Sequence, residues 1–402
     1  MIRDKGIVPA LMFHSVGLEN HPWVWSYISE PLETFEAKVA LLVDKGFTGV
    51  FWQDLYEHMA GRRRLPDNSI LLTFDDGYLD NWVYVYPILK KYGVKGTIFV
   101  NPDFVHPAGE VRPNLDDVVA DRCSRDELTV PGFLSWAEMR EMEKSGLIDI
   151  QSHSISHTWY FSGPKIIDFH RPHPITPHPW LFWNARPDRK PIYLTEDQQG
   201  FVPWGHPILE HQKSLVVRRF FPEERSITNI VAYVSDQGGR AFFQGSNWKG
   251  KLAADLDLAA GVSQLPGRYE TVEEQRARIV SELRSSKERI ERNLKKTVDF
   301  ICWPGGGNDK FVQQAALSVG YKSWTLSSRD QTLKRNVFGS DPVSIKRMGT
   351  SNTIAARGRP CGIGGPYFQL FRVLKHQGSA LGAAALRTYK LGALFRSFWR
   401  AR

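Results

Sequence analysis

Two adjacent carboxylates follow a short apolar run in the last third of the first hundred residues. The run 69–74 ends directly before Asp75 and Asp76, within the stretch LLTFDDGY. Adjacent side chains on a strand point to opposite faces, so two carboxylates at the end of a covered strand are not both surface charges. At least one of them is therefore expected to have a partner.

Two histidines with three residues between them follow another apolar run. Residues 153–157 read HSISH and come after the run 147–151. Imidazoles at this spacing share one side of a helical turn, and with one carboxylate they give a metal three ligands and leave positions open. Alone, this spacing is a weak signal in a chain with 12 histidines. Both motifs, however, follow predicted parallel strands, at whose carboxyl ends the active sites of α/β barrels lie.

The elements that must position these residues alternate between strand and helix. Apolar runs predict strands at residues 8–13, 47–52, 69–74, 95–100, 147–151, 297–302, 321–326 and 343–348. Helical patterns fall at residues 32–45, 78–92, 135–145, 271–293 and 309–319. Such alternation predicts an α/β fold with a parallel sheet, and seven or eight strands suit a barrel.

Residues 158–270 interrupt this alternation. The segment is crowded with Pro, Trp, Phe and His, as in RPHPITPHPWLFW. A structureless loop of this length is improbable in a compact domain, so a folded insertion is expected. Its aromatic side chains fit two interpretations, a surface that stacks on sugar rings or a small aromatic core. The predicted organisation is a barrel over residues 1–350, interrupted by this insertion, and a basic tail over residues 351–402.

Composition places the chain among ordinary globular proteins. It has 402 residues, of which 42% are hydrophobic and 24% charged, enough for one large barrel or two smaller domains. The sequence offers no signal peptide and no membrane-spanning run, which predicts a cytoplasmic location. Three cysteines without metal-type spacing fit a reducing compartment.

The basic charge is concentrated in the tail. The chain carries a formal charge of +9, and residues 342–402 contain eleven Lys and Arg but no acidic residue. Near the end, apolar residues recur at helical spacing: Leu391, Leu394, Phe395, Phe398 and Trp399. A basic amphipathic helix of this kind suits an anionic membrane surface, on the inner face of the cell membrane if the location is cytoplasmic. A helix packed on the barrel is the alternative, and nucleic acid is a poorer fit.

Three motifs together resemble a known family. The opening LMFHSVG, the TFDDG stretch and HSISH are similar to the polysaccharide deacetylase family, the NodB homology domain of carbohydrate esterase family 4. The resemblance covers residues 8–157 and 271–350. It implies a distorted (β/α)7-type barrel that removes N-acetyl or O-acetyl groups from sugars with a divalent metal.

The resemblance also implies roles for single residues. Asp76, His153 and His157 would bind the metal, either Zn²⁺ or another divalent ion such as Co²⁺. Asp75 would be the general base. A strand-end turn followed by a helix cap is the structural alternative for the two carboxylates.

A third family motif, Arg-x-Pro-x-Gly, is incomplete here. The matching stretch, residues 302–307, reads CWPGGG. Pro304 and Gly306 match the motif, whereas Cys302 stands where the Arg would be. The usual partner of the base is thus missing. Either another basic group replaces it, or the site belongs to a branch with a WP-type motif that does without it. By the same alignment, the Gly305 N–H would stabilise the oxyanion.

The general acid and the sugar contacts are less well marked. His14, at the end of the first predicted strand, is the candidate acid, and His206 and His211 are fallbacks. Candidate substrate-binding residues are Trp303, Pro304, Trp204 and His206.

The sequence as a whole predicts a metal-dependent carbohydrate deacetylase in the cytoplasm, resting on the membrane. Its substrate would be an acetylated sugar in a surface polysaccharide, sugar-nucleotide or lipid-linked glycan pathway. A deformylase or other amidase acting on a lipid-linked aminosugar is an alternative. A non-catalytic glycan-binding protein at the membrane is an alternative of another class.

Overall fold

The computed structural model describes residues 6–255, 264–326, 334–350, 353–356 and 359–400. The strands, in chain order, are β1 (Ala10–Phe13), β2 (Ser15–Val16), β3 (Ser29–Glu30), β4 (Thr48–Val50), β5 (Ser69–Phe74), β6 (Gly96–Val100), β7 (Ile148–Ser152), β8 (Trp159–Phe169), β9 (Pro207–Lys213), β10 (Phe220–Pro222), β11 (Gly267–Tyr269), β12 (Phe300–Ile301), β13 (Ser323–Leu326), β14 (Ser344–Lys346), β15 (Met348–Gly349), β16 (Thr353–Ala356) and β17 (Arg359–Ile363). The helices are α1 (Leu32–Asp44), α2 (Trp52–Met59), α3 (Tyr86–Tyr92), α4 (Leu115–Val119), α5 (Trp136–Lys144), α6 (Trp180–Ala185), α7 (Glu224–Asp236), α8 (Trp248–Asp255), α9 (Val272–Leu294), α10 (Lys310–Val319), α11 (Pro366–His376) and α12 (Ala380–Arg400).

A parallel sheet forms the centre of the fold. Its strand order is β14-β13-β12-β7-β6-β5-β1-β15, and β4 also pairs with β5. The two ends of this order, β14 and β15, are separated in the chain by Arg347 alone. The segment therefore pairs with β13 on one side and with β1 on the other, which nearly closes the sheet into a barrel. The predicted α/β barrel is confirmed.

The central strand β5 explains the unbroken apolar run before the two carboxylates. All six of its residues are buried, as expected for a parallel strand that is covered on both faces. Ile70, Leu72 and Phe74 pack in the cluster between sheet and helices, whereas Leu71 belongs to the cluster inside the barrel. Continuing this alternation, Asp75 points into the barrel mouth.

Most predicted elements are present, with shorter strands. The helix predicted at residues 271–293 is α9, and it begins with a capping box in which Thr271 Oγ1 accepts from the Glu274 N–H at 3.1 Å. The helix predicted at residues 78–92 is only partly regular, because a π-helical turn over Asn81–Val85 precedes α3. Helix α2 was missed, and the strand predicted at residues 297–302 is reduced to Phe300–Ile301.

The insertion is folded. Strands β8 and β9 form an antiparallel pair, and β10 pairs with β11. Part of the insertion has an aromatic and aliphatic cluster of its own. Another cluster joins insertion residues such as Trp183 to Tyr78 and Phe133 of the barrel segments. Some of its aromatic residues therefore form a core, as one interpretation predicts, and others pack against the barrel segments. Stacking on sugar rings stays a prediction.

The tail folds against the barrel. Helix α11 contacts α1 and α12 packs on α11, with Phe368, Leu386 and Ala393 in their shared cluster. On the predicted apolar face, the side chains of Leu391 and Phe395 are exposed, while those of Phe398 and Trp399 lie outside the described residues. Among the described helices, none combines the length and hydropathy required to cross a bilayer.

Candidate active site

One cavity of about 380 Å³ opens where β1, β5 and β7 end. Seven residues singled out in the sequence line it: His14, Asp75, Asp76, His153, His157, Trp303 and Gly305. They come from distant parts of the chain and meet at the carboxyl edge of the sheet. The barrel thus brings the three sequence motifs together in one place.

Asp76, His153 and His157 converge on one point. Asp76 Oδ1 lies 3.1 Å from His153 Nε2 and 3.2 Å from His157 Nε2. Despite these distances, Asp76 Oδ1 is buried and forms no hydrogen bond with the described residues. One carboxylate and two imidazoles whose ligand atoms face each other without aligned hydrogen bonds are a donor set that would hold a catalytic divalent cation. These residues fit a divalent metal.

A second group, Asp75, His153 and Cys302, also lies within ligand range. It fits a metal less well, because His153 Nδ1 is 2.8 Å from the Cys302 carbonyl oxygen and hydrogen-bonds to it. This bond directs Nε2 of the same ring toward Asp76. Asp75 and the Cys302 sulfur both contact Arg347 instead.

The ligand loop is not a helical turn, which corrects the prediction from the HxxxH spacing. Residues 153–157 form an irregular loop after β7. Asp76, Ser154 and His157 adopt positive φ angles of 75°, 64° and 42°. Such conformations cost roughly 1–3 kcal/mol each in non-glycine residues and persist where the surroundings enforce them. The strain therefore lies at the predicted ligands.

Glu282 of α9 is one of the groups that hold this loop. Its Oε1 accepts hydrogen bonds from the hydroxyls of Ser154 and Ser156, each at 2.7 Å, and from Ser214 at 3.1 Å. On the other side of the loop, Lys190 Nζ donates to the Ser156 carbonyl oxygen at 2.9 Å. The buried carboxylate of Glu282 and the buried ammonium of Lys190 thus hold in place the loop that carries the two histidines. Sequence reasoning did not find either residue.

The ionisation of the three ligands follows from their contacts. Burial alone would raise the pKa of Asp76, but the imidazoles of His157 and His153 hold it well below its usual range. Burial lowers the pKa of His157 to about 4, which leaves this ring neutral at pH 7. Burial opposes charge on His153 too, yet the neighbouring Cys302 and Asp76 raise its pKa above the usual value.

Asp75 forms a bidentate pair with Arg347. Arg347 Nη1 lies 2.7 Å from Asp75 Oδ1, and Nη2 lies 2.8 Å from Oδ2. Both side chains are buried. Burial would raise the pKa of Asp75, but the guanidinium lowers it below its usual value, so Asp75 is ionised at neutral pH.

Arg347 takes the place of the missing motif arginine. Cys302, which occupies the motif position, lies with its sulfur 3.0 Å from Arg347 Nη2. Sequence reasoning treated Arg347 as one of the charges of the tail and missed its role. Its position at the end of a predicted closing strand could have indicated this role, because parallel strands of a barrel present their active-site residues there.

His14 and Gly305 lie at the rim of the same site. His14 Nε2 is 3.8 Å from Asp75 Oδ2, and its side chain is 22% exposed. Gly305 has φ 53°, and its carbonyl oxygen accepts a hydrogen bond from Lys213 of β9. Pro304 is buried under this turn and is not among the lining residues.

Aromatic side chains form one wall of the cavity. The Trp25 and Trp159 rings stack with centroids 5.9 Å apart, and Trp183 lies 5.6 Å from Trp25. Trp159 and Trp183 belong to the insertion, so this segment contributes to the site. The sequence prediction chose other insertion residues. Trp204 stacks on His170 at 4.7 Å and His206 on Phe161 at 6.4 Å, and both lie outside the cavity, as does His211.

Comparison with known proteins matches the segment that holds most of this site. Residues 62–169 match the family model described as polysaccharide deacetylase. This segment, 108 of the 402 residues, is therefore similar to the polysaccharide deacetylase family. The deacetylase segment contains Asp75, Asp76, His153 and His157, whereas His14, Gly305 and Arg347 lie outside the matched residues.

Curated relatives align over the same part of the chain. YxkH of Bacillus subtilis, which is named after the same family, is 30% identical over 151 residues, 37% of this chain and 43% of that protein. The poly-beta-1,6-N-acetyl-D-glucosamine N-deacetylase of Escherichia coli K12 is 25% identical over 150 residues, 37% of this chain and 20% of that protein. The chain thus matches less than half the length of these two relatives.

A solved structure extends the likeness beyond the deacetylase segment. The BpsB deacetylase domain from Bordetella bronchiseptica superposes with a TM-score of 0.51 and 21% sequence identity. The superposition covers 87% of this chain and 98% of that domain. The two proteins share the deacetylase barrel fold.

Proposed function

We propose that this chain is a metal-dependent hydrolase that removes an N-acetyl group from an aminosugar. One observation carries the proposal: the ligand atoms of Asp76, His153 and His157 converge beside an ionised Asp75 at the mouth of a deacetylase-type barrel. A glycan-binding protein has no need of an ionised carboxylate next to a metal site. The non-catalytic alternative is therefore less well supported.

Each group has a role in amide hydrolysis. Asp76, His153 and His157 would hold a divalent cation, probed first as Zn²⁺ and then as Co²⁺. Such an ion, when bound, acidifies water and polarises a carbonyl. Asp75 accepts the proton of the attacking water, and Arg347 keeps this carboxylate ionised and oriented. His14 donates a proton to the leaving nitrogen, and the Gly305 N–H stabilises the oxyanion.

The cavity supports a sugar as substrate. Its volume of about 380 Å³ falls within the usual range of ligand pockets, roughly 300–1,000 Å³. The tryptophan wall offers flat apolar faces beside the polar metal site. The Escherichia coli relative is named for action on an N-acetylglucosamine polymer, so an N-acetylhexosamine is the proposed reacting unit. An O-acetyl or N-formyl sugar would use the same residues and remains the alternative within this class.

Location and membrane contact stay predictions from the sequence. We propose a sugar nucleotide or a lipid-linked glycan as the carrier of the acyl group, in the cytoplasm and at the inner membrane face. Exposed Leu391 and Phe395 beside basic residues of α12 are consistent with contact to anionic lipid. Fractionation of the native cells tests the location, and recovery of the protein from the periplasm would overturn it.

The deciding experiment measures acetate release from N-acetylated chito-oligosaccharides together with metal content. Wild-type protein loaded with Zn²⁺ should release acetate, and chelation should abolish the activity. Asp75→Asn should keep the metal and lose about 10²-fold or more in rate. Asp76→Asn should lose the metal as well. Wild-type protein that binds no metal, or that binds Zn²⁺ and releases neither acetate nor formate from any acylated sugar, would contradict the proposal.

A further inference from the structure

A second cavity, of about 360 Å³, lies between the closing strands and the C-terminal helices. Its walls come from β14, β15, α11, α12 and the segment just before β14. It shares no lining residue with the cavity that contains Asp75 and Asp76. It is therefore a separate feature of the molecule, and the proposed hydrolysis does not use it.

The lining of this cavity is strongly positive. No carboxylate is among its lining residues, and six of them are lysine or arginine: Lys334, Arg335, Lys346, Arg372, Lys375 and Lys390. Lys334 is paired with Asp341 at 3.1 Å. Within the described part of the chain, Arg335, Arg372, Lys375 and Lys390 have no carboxylate within ion-pair distance.

Arg372 is a partly buried cation of this cavity. Among the described residues, its guanidinium donates from Nη1 to the side-chain oxygen of Gln369 at 3.2 Å and lies 5.7 Å from the Phe368 ring. Burial lowers the pKa of Arg372, because desolvation is not offset by a nearby negative charge. A guanidinium in this position is available for an anion that enters the cavity.

His376 adds a polar group without a described hydrogen-bond partner. Its Nε2 atom is buried and has no hydrogen-bond partner among the described residues. Burial lowers the pKa of His376 to about 4, and the charges of Arg335 and Lys346 act in the same direction. The ring is therefore neutral at pH 7, and its Nε2 can hydrogen-bond to a ligand oxygen.

The apolar residues of the cavity narrow the ligand class. Met348, Phe368 and Leu386 line it together with the cations. The cavity is larger than an inorganic anion requires, and its apolar residues can contact an organic group. Convergent lysine and arginine side chains are the usual partners of phosphate.

We propose that this cavity binds the phosphate or diphosphate group of an organic phosphate. Arg372 and Lys375 donate hydrogen bonds to the phosphate oxygens, and the organic part contacts Met348, Phe368 and Leu386. The group belongs either to a soluble phosphorylated molecule or to a lipid headgroup. Both sources present the same chemistry to the cavity, and the experiment distinguishes them.

The first arm titrates pyrophosphate into full-length protein at low ionic strength by calorimetry. We expect saturable binding that is at least 10-fold weaker in Arg372→Gln/Lys375→Gln. The matched control, Arg225→Gln/Lys310→Gln, removes the same charge from exposed positions elsewhere and should bind like wild type. Lys375 is exposed on α11, so the single variant Lys375→Gln provides a test if loss of Arg372 destabilises the fold.

The second arm measures co-sedimentation with phosphatidylglycerol vesicles. Site-dependent binding of pyrophosphate without site-dependent vesicle binding identifies a soluble phosphate ligand. Vesicle binding that falls at least 10-fold in the cavity variants but not in the control identifies a lipid headgroup. If the cavity variants and the control variant behave alike in both arms, or if neither probe binds wild type, the proposal is wrong.

Discussion

Arg347 donates hydrogen bonds to both carboxylate oxygens of Asp75, at 2.7 and 2.8 Å, across 272 residues of sequence. The pair is buried, so each charge depends on the other for compensation. Asp75 follows the central strand, and Arg347 follows β14 at the edge of the sheet. The ionisation of the proposed base thus depends on a residue at the point where the sheet closes.

Replacing Arg347 by Gln should raise the pKa of Asp75, because burial then acts without the opposing guanidinium. A base must be ionised, so the acidic limb of the kcat/KM profile should move to higher pH. We expect a loss of about 10²-fold at neutral pH from misplacement of the base, with metal content unchanged. Arg225→Gln, on the exposed face of α7, is the control. An unshifted profile in Arg347→Gln would refute this role.

Glu282→Gln should weaken metal binding without removing a ligand. The variant loses the charge that accepts three hydroxyl hydrogen bonds behind the histidine loop. Residues that orient metal ligands typically contribute 10–100-fold in affinity, so we expect about 10-fold or more. The measurement is Zn²⁺ competition with a chromophoric chelator. Glu288→Gln, exposed on the same helix, should match wild type, and equal affinities in the two variants would exclude a positioning role.

His14→Ala should discriminate between leaving groups. An amine leaves only after protonation, whereas 4-nitrophenolate leaves without it. If His14 is the general acid, hydrolysis of an N-acetyl sugar should fall about 10²-fold and hydrolysis of 4-nitrophenyl acetate much less. Equal losses on both substrates would instead assign His14 to binding or to contact with Asp75, 3.8 Å away.

Asp80 should make stability depend on pH. It is buried, and its carboxylate accepts from Ser15 Oγ at 2.6 Å and Asn81 Nδ2 at 2.7 Å. Burial raises its pKa to about 7, against ~3.9 in an unfolded chain. The folded state therefore keeps a proton that the unfolded state has lost. The stability from this group is complete below pH ~4 and falls as pH rises to about 7.

At about 1.4 kcal/mol per pH unit, the Asp80 titration lowers the free energy of unfolding by roughly 4 kcal/mol between pH ~4 and pH ~7. Asp80→Asn keeps the shape of the side chain and removes the titration. Denaturant unfolding at pH 4 and pH 7.5 should show Asp80→Asn gaining stability relative to wild type as pH rises. Asp126→Asn, at an exposed position, should show no such trend. A difference between Asp80→Asn and wild type that does not vary with pH would contradict the buried titration.

Local patterns in the sequence predict the framework well. The run 69–74 matches β5 residue for residue, because a strand covered on both faces must be apolar throughout. The convergence of Asp76 with His153 and His157 follows from their positions after parallel strands. The shape of the loop does not, since the positive φ angles of Ser154 and His157 are imposed by tertiary contacts such as those of Glu282.

Residues that act from a distance in the chain could not be read from local patterns. Arg347 reaches Asp75 only because the sheet closes, and closure depends on the pairing of β1 with β15. Trp159 and Trp183 line the cavity because the insertion folds over the mouth, whereas Trp204, in the same segment, packs against His170. Aromatic composition alone cannot distinguish these two outcomes.

Arg347 lies between β14 and β15, so it is synthesised after all the other residues of the candidate active site. The metal-ligand motifs leave the ribosome long before the closing strands, and the matching charge for Asp75 arrives with the latter. A nascent chain that ends before residue 347 holds a buried carboxyl without its cation, which favours the protonated and inactive form. The proposed hydrolysis would thereby begin only once the chain has been translated past residue 347 and the sheet has closed.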